Sequence, residues 1–132
     1  MTQPSSQEFD LLIKNANIID GTGKPEYFAD VLINQGKIIN IGFFKDDIAD
    51  EVIDASGYCL APGFIDVHSH DDNYVLKNPR MTAKISQGVT TVVVGNCGIS
   101  LSPISLKNDP PDPMNLLGEQ TDFTYSNFSS YA

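Results

Sequence analysis

Hydrophobic positions first cluster in runs of strand length. FDLLIKNANIID, residues 9–20, is such a run, closed by a turn at Gly21 and Gly23. In ADVLINQGKIINIG, two β-rich runs at 31–33 and 37–41 flank Asn34-Gln35-Gly36. That pattern predicts a β-hairpin with glycine supplying the positive φ. EVIDASGYCLAPG repeats the arrangement around Ser56-Gly57 and predicts a second hairpin. Residues 9–61 therefore read as a small β-domain without a helix, preceded by a loose polar N-terminus at 1–8.

The pattern changes at Pro62-Gly63, where a second domain, 62–132, is expected to begin. FIDVHSH is a short apolar strand. NPRMTAKISQG carries helix punctuation: Asn78 as cap, Pro79 at the first helical position and Gly88 just past the end. Met81 and Ile85, four apart, share a face. VTTVVVG is continuously β-branched, which predicts a strand buried on both faces. Strand, helix and strand within about 30 residues make a βαβ unit. Its two strands run parallel, so their C-terminal ends share one edge, and that edge carries His68, His70, Asn96 and Cys97. Further on, KNDPPDPMNLLG is too rich in proline for a regular helix or central strand. TDFTYSNFSSYA, with aromatics at 123, 125, 128 and 131, admits a short helix from Ser126 or Asn127.

The chemistry concentrates at that strand edge. Residues i and i+2 of a strand face the same side, roughly 6.6 Å apart. His68 and His70, the chain's two histidines, therefore project together. Imidazole nitrogen suits zinc, although a bare HxH pair is equally consistent with two unrelated histidines. Cys97, between Gly95 and Gly98, lies just past the following strand at the same edge. Alone it would be a small buried hydrophobe; beside two imidazoles it reads as a thiolate ligand. His68, His70 and Cys97 are the candidate metal set. Cys59 has no such company and reads as structural. Asp66 either accepts from a ligating histidine or bonds within the sheet. Asp71 and Asp72 either orient the ligands or begin a solvated loop, the loop being preferred for Asp72.

Composition narrows the partners. A net charge of -9 argues against nucleic acid and anionic membrane surfaces. The acidic stretch at 46–54 reads as a solvated turn. MTQPSSQEF lacks the basic and apolar regions of a signal peptide, and no apolar run reaches membrane-spanning length. With two cysteines far apart, a disulfide framework is not expected and a cytoplasmic setting is the default.

APGFIDVHSHDD resembles the first barrel strand of the amidohydrolase superfamily, an apolar strand ending in HxH. QGVTTVVVGNCGIS and DPPDPMNLLG resemble a narrower group, the N-acyl-D-amino-acid deacylases, in which a cysteine after the second strand is a zinc ligand. Residues 9–61 are similar to that group's small N-terminal β-domain. The resemblance implies an α/β fold of a β-domain followed by the first βα units of a TIM-like barrel, with zinc as cofactor. The implied activity is hydrolysis of N-acyl-D-amino acids to a carboxylate and a D-amino acid. Cys97 matches the ligand of the tighter metal, and His68 and His70 match a second, weaker position that shares it. A barrel needs roughly 250 residues, so the chain reads as the N-terminal portion of such an enzyme and is not expected to be active alone. The general acid/base aspartate is expected beyond Ala132, and no catalytic residue is assigned within the chain. A metal-binding or interaction fragment, or a hydrolase of cyclic amides, are the alternatives; Cys97 argues against the last.

Overall fold

A computed structural model describes residues 9–132, so the expected loose segment at 1–8 lies outside the described residues. The chain divides into two compact units, Met1–Pro62 and Gly63–Ala132.

In the first unit β1 (Phe9–Ile18) lies between neighbours on both sides. It pairs antiparallel with β2 (Tyr27–Asn34), which pairs antiparallel with β3 (Lys37–Gly42). Gln35 (φ 50°) and Gly36 (φ 71°) make the tight turn between them, the left-handed conformation at both positions matching the strands' twist. The second expected hairpin does not form. β4 (Ala49–Asp54) and β5 (Cys59–Leu60) both pair with β1, in parallel. The turn between them is a sideways step rather than a reversal. Asp54 holds it, accepting from the Ser56 N–H (3.0 Å) and hydroxyl (2.6 Å) and from the Asn15 amide (3.0 Å). The chain then rejoins β1 where Asn17 N–H donates to Tyr58 O (3.1 Å). A single 3-10 turn at Asp46–Ile48 also departs from the expected helix-free unit.

Alternation along β1 supplies two small cores. Leu12 packs with Leu32 and Ala49, and Ala16 and Ile18 pack with Ala29 and Val31. Burying Leu12 completely contributes about 1.5–3 kcal/mol. Asp30, also buried, has both oxygens satisfied by main-chain N–H groups, of Asn15 and Phe44, each at 2.9 Å.

The second unit opens with the parallel pair β6 (Phe64–Ser69) and β7 (Val89–Val94). Between them the helix expected from Pro79 to just before Gly88 is shorter, α2 (Thr82–Ile85), with Met81 rather than Asn78 before its first turn, and an unexpected helix, α1 (Asp72–Lys77), precedes it. Pro79 disfavours a helical Asn78 before it, so α1 ends there. Met81 then takes a left-handed φ of 46° before the chain winds again. Gly88, at φ 78°, ends the helical stretch as its position predicts. The burial on both faces expected of β7 is not found: Thr90, Thr91 and Val93 are exposed and its other residues only half-buried.

The remaining chain forms a compact loop layer. β8 (Ile104–Ser105) pairs antiparallel with β9 (Thr124–Tyr125), and 3-10 turns occupy Met114–Leu116, Gln120–Asp122 and Phe128–Ser130. The last takes the place of the short helix expected there. Asn127 caps it, its side chain accepting from Ser130 N–H at 3.0 Å. Leu101, Leu117 and Phe123 form the core of this layer. It is tied to α1 by Asn73 donating to Leu117 O (2.9 Å), Lys77 pairing with Asp122 (3.0 Å) and Tyr131 donating to Asp72 O (3.0 Å). No helix among the described residues is long and apolar enough to cross a membrane.

Candidate metal centre

The parallel pairing brings the ends of β6 and β7 together. At the end of β6, Ser69 is buried while His68 and His70 are exposed, with ring centroids 5.6 Å apart. After β7, Gly95 (φ 76°) and Gly98 (φ 91°) turn the chain sharply, closed by Gly98 N–H donating to Gly95 O at 3.0 Å. This turn carries Cys97 to His70, its Sγ lying 3.5 Å from Nε2 and 3.8 Å from Nδ1. One ligand atom from each of His68, His70 and Cys97 lies within 4.8 Å of the others. Two imidazoles and a thiol are a zinc donor set, and S and N ligands on one tetrahedral zinc sit about 3.6 Å apart. The donor chemistry and the spacing fit a single ion.

Side chains around the three hold them in place. The Asn96 amide donates to Val67 O at 2.9 Å, tying the Cys97 turn to the strand beneath His68. On the other side Asp72 contradicts the solvated loop expected of it. It is the first residue of α1, fully buried, and its Oδ1 accepts from the Ser100 hydroxyl and from Leu101 N–H (3.2 Å). A buried carboxylate needs such partners, and these come from the loop after Cys97.

Asp66 takes the sheet-bonding alternative. Its Oδ1 accepts from the His68 N–H (3.2 Å) and its Oδ2 from Lys84 Nζ (2.7 Å). The Lys84 ammonium, then the His68 N–H, hold the Asp66 carboxyl below the usual carboxylate range. Lys84 also reaches Asp71 at 2.8 Å, and bonding to Asp66 and Asp71 raises its own pKa. Asp71 bonds the Ser69 hydroxyl as well. Sequence reading missed Lys84, because nothing local marks a lysine 18 residues beyond its partner. Cys59 sits exposed on the first unit, its Sγ 3.8 Å from the Asn17 amide. A cavity of ≈ 460 Å³ shares the Gly95 and Gly98 backbone and is walled by Ile104, Met114, Phe128 and Tyr131.

Residues 51–131 match the model of the amidohydrolase family. The chain is 49% identical over 131 residues to a D-aminoacylase of Alcaligenes xylosoxydans xylosoxydans, covering 99% of this chain and 27% of the relative. A solved D-aminoacylase, studied for its binuclear metal centre, superposes with a TM-score of 0.87 at 49% identity, over 93% of this chain and 26% of that one. An N-acyl-D-glutamate deacylase of Bordetella bronchiseptica, solved with zinc and a phosphonate mimic of the tetrahedral intermediate, gives 0.84 at 43% identity, over 93% and 26%. The chain thus spans about a quarter of the length of these relatives. With more than half its residues matched by the family model and the HxH strand and Cys97 turn inside the match, the chain belongs to the amidohydrolase family.

Proposed function

We propose that this chain is the metal-bearing portion of an N-acyl-D-amino-acid deacylase, a zinc-dependent hydrolase of linear amide bonds built on a TIM-like barrel. The observation that carries the reading is the approach of Cys97 Sγ to His70 Nε2 at 3.5 Å, across two strand ends. His68, His70 and Cys97 hold the ion, the imidazoles neutral and the cysteine as thiolate. Zinc held there would supply Lewis acidity toward the amide carbonyl and would activate water for attack. Asp72 and Asn96 keep the thiolate turn against the histidine strand. The apolar cavity beside Gly95 and Gly98 suits a small organic substrate. On this reading the general acid/base aspartate is expected outside the stretch shared with these relatives, since no residue of this chain is assigned that role. The cysteine favours linear amides over the cyclic amides of other family members.

Exposed Phe64, Ile65 and Val67 favour a second reading, a non-catalytic piece whose apolar strand face meets another polypeptide. The two readings separate in one assay. The zinc-loaded polypeptide, at the full length its reading frame encodes, is given N-acetyl-D-methionine, its L-enantiomer and a hydantoin. Release of D-methionine alone supports the deacylase. Turnover of only the hydantoin, or of none of the three, overturns it.

A further inference from the structure

Resting on the metal reading above, we propose that Lys84 is a positioning residue for the histidine pair, clamping the strand end from behind through Asp66 and Asp71. The backbone ladder leaves this job undone. β6 pairs with β7 at Asp66 and again at Ser69, but the register shifts between them, and His68 falls in the irregular interval. Regular pairing would fix the direction of each side chain by its parity; here it does not.

The side chains supply what the ladder lacks. Lys84 Nζ lies 2.7 Å from Asp66 Oδ2 and 2.8 Å from Asp71 Oδ2. Those carboxylates bracket the pair, Asp66 two residues before His68 and Asp71 one after His70. Each grips the main chain or side chain between them. Asp66 Oδ1 accepts from the His68 N–H, and Asp71 exchanges bonds with the Ser69 hydroxyl, its own N–H donating to Oγ at 3.0 Å. One ammonium from α2 thereby spans the whole turn that presents both imidazoles. All three charged side chains are part-buried, at least two-thirds shielded from solvent, which lessens but does not remove the screening that weakens surface pairs. Removing the lysine leaves two carboxylates facing each other beside the histidines. They repel, and the strand end relaxes away from Cys97.

The test is cobalt(II) binding to the purified chain, followed by chelator competition and by the visible ligand-field and thiolate charge-transfer bands. The bands report the geometry around Cys97, and a purely structural lysine would leave them unmoved once the protein is folded. K84M is expected to bind cobalt roughly tenfold or more weakly with altered bands, the range seen for residues that orient metal ligands. K84R, which keeps a charge able to bridge both carboxylates, restores most of the affinity. Should K84M fold poorly, D71N removes one arm of the clamp and is expected to show a smaller loss in the same direction. Wild-type affinity and spectrum in both K84M and D71N overturn the inference while leaving the metal reading intact. Absence of cobalt binding by the wild-type chain overturns the metal reading, and the inference with it.

Discussion

The side-chain amide of Asn96 donates to the main-chain oxygen of Val67 at 2.9 Å, joining the residue before Cys97 to the residue before His68. It is a direct tie between the two segments that carry the donors. Asn96→Ala is expected to weaken zinc binding roughly tenfold, as loss of an orienting bond does at metal sites. Asn96→Asp, isosteric but unable to donate, should behave the same way. Competition with a metallochromic chelator measures both, and unchanged affinity in the two variants contradicts the role.

The two cysteines make a matched control. Cys97→Ala should lower zinc affinity by roughly a hundredfold, since it deletes one of three donors. Cys59→Ala, on an exposed strand end of the other unit, should leave affinity unchanged. Equal zinc stoichiometry and affinity in both variants would refute the ligand assignment.

Asp72 is expected to be a stability residue of unusual weight for a loop-flanking aspartate. Asp72→Ala strands the Ser100 hydroxyl and the buried Leu101 N–H. The orphaned buried Leu101 N–H costs about 1–3 kcal/mol and the half-buried Ser100 hydroxyl less, while loss of the unpaired buried Asp72 Oδ2 offsets part of this, so a loss of about 1–2 kcal/mol is predicted. Ser100→Ala, which removes one bond only, should cost less. Urea midpoints measure the difference, and a near-neutral Asp72→Ala would show that the loop after Cys97 does not depend on this anchor.

Asp122 gives a pH dependence with a definite sign. Its carboxyl is held below the ordinary range, first by Lys77 and then by the Glu119 N–H. A group whose folded pKa lies below its unfolded value of about 3.9 stabilises the protein above that value. The contribution disappears as pH falls through the lower, folded value. Lys77 is more than half exposed, so solvent screens the pair and the effect is modest. Asp122→Asn should flatten the acid limb of the stability curve as pH falls below the unfolded value. The check is urea unfolding at a series of pH values; parallel acid limbs in wild type and variant would remove Asp122 from the account.

What could be read in advance depended on how far each residue's partners lie along the chain. The β2–β3 hairpin was legible because Gln35 and Gly36 carry its turn chemistry locally. His68, His70 and Cys97 were legible as a group because parallel strands place their ends on one edge. The step at Ser56-Gly57 looks like a hairpin turn, and only pairing with β1, some 40 residues earlier, makes it a parallel continuation. Asp72 reads as a polar residue after a strand, and its burial is decided by Ser100 and Leu101, 28 and 29 residues away. α1 escaped the reading because its short polar start looked like a loop, and its end at Asn78 is the local effect of Pro79, which delays α2 to Thr82.

The contact between His70 and Cys97 encloses a ring of 27 intervening chain steps, closed through side chains alone. An ion held by both would be a removable staple. The bridge would exist only in the folded chain, so the ion would favour folding by mass action. Unlike a disulfide, it could be withdrawn by a chelator and restored by dialysis, without touching a covalent bond. Thermal stability of this chain would then follow free zinc concentration logarithmically, giving a calorimetric handle on the site that needs no substrate.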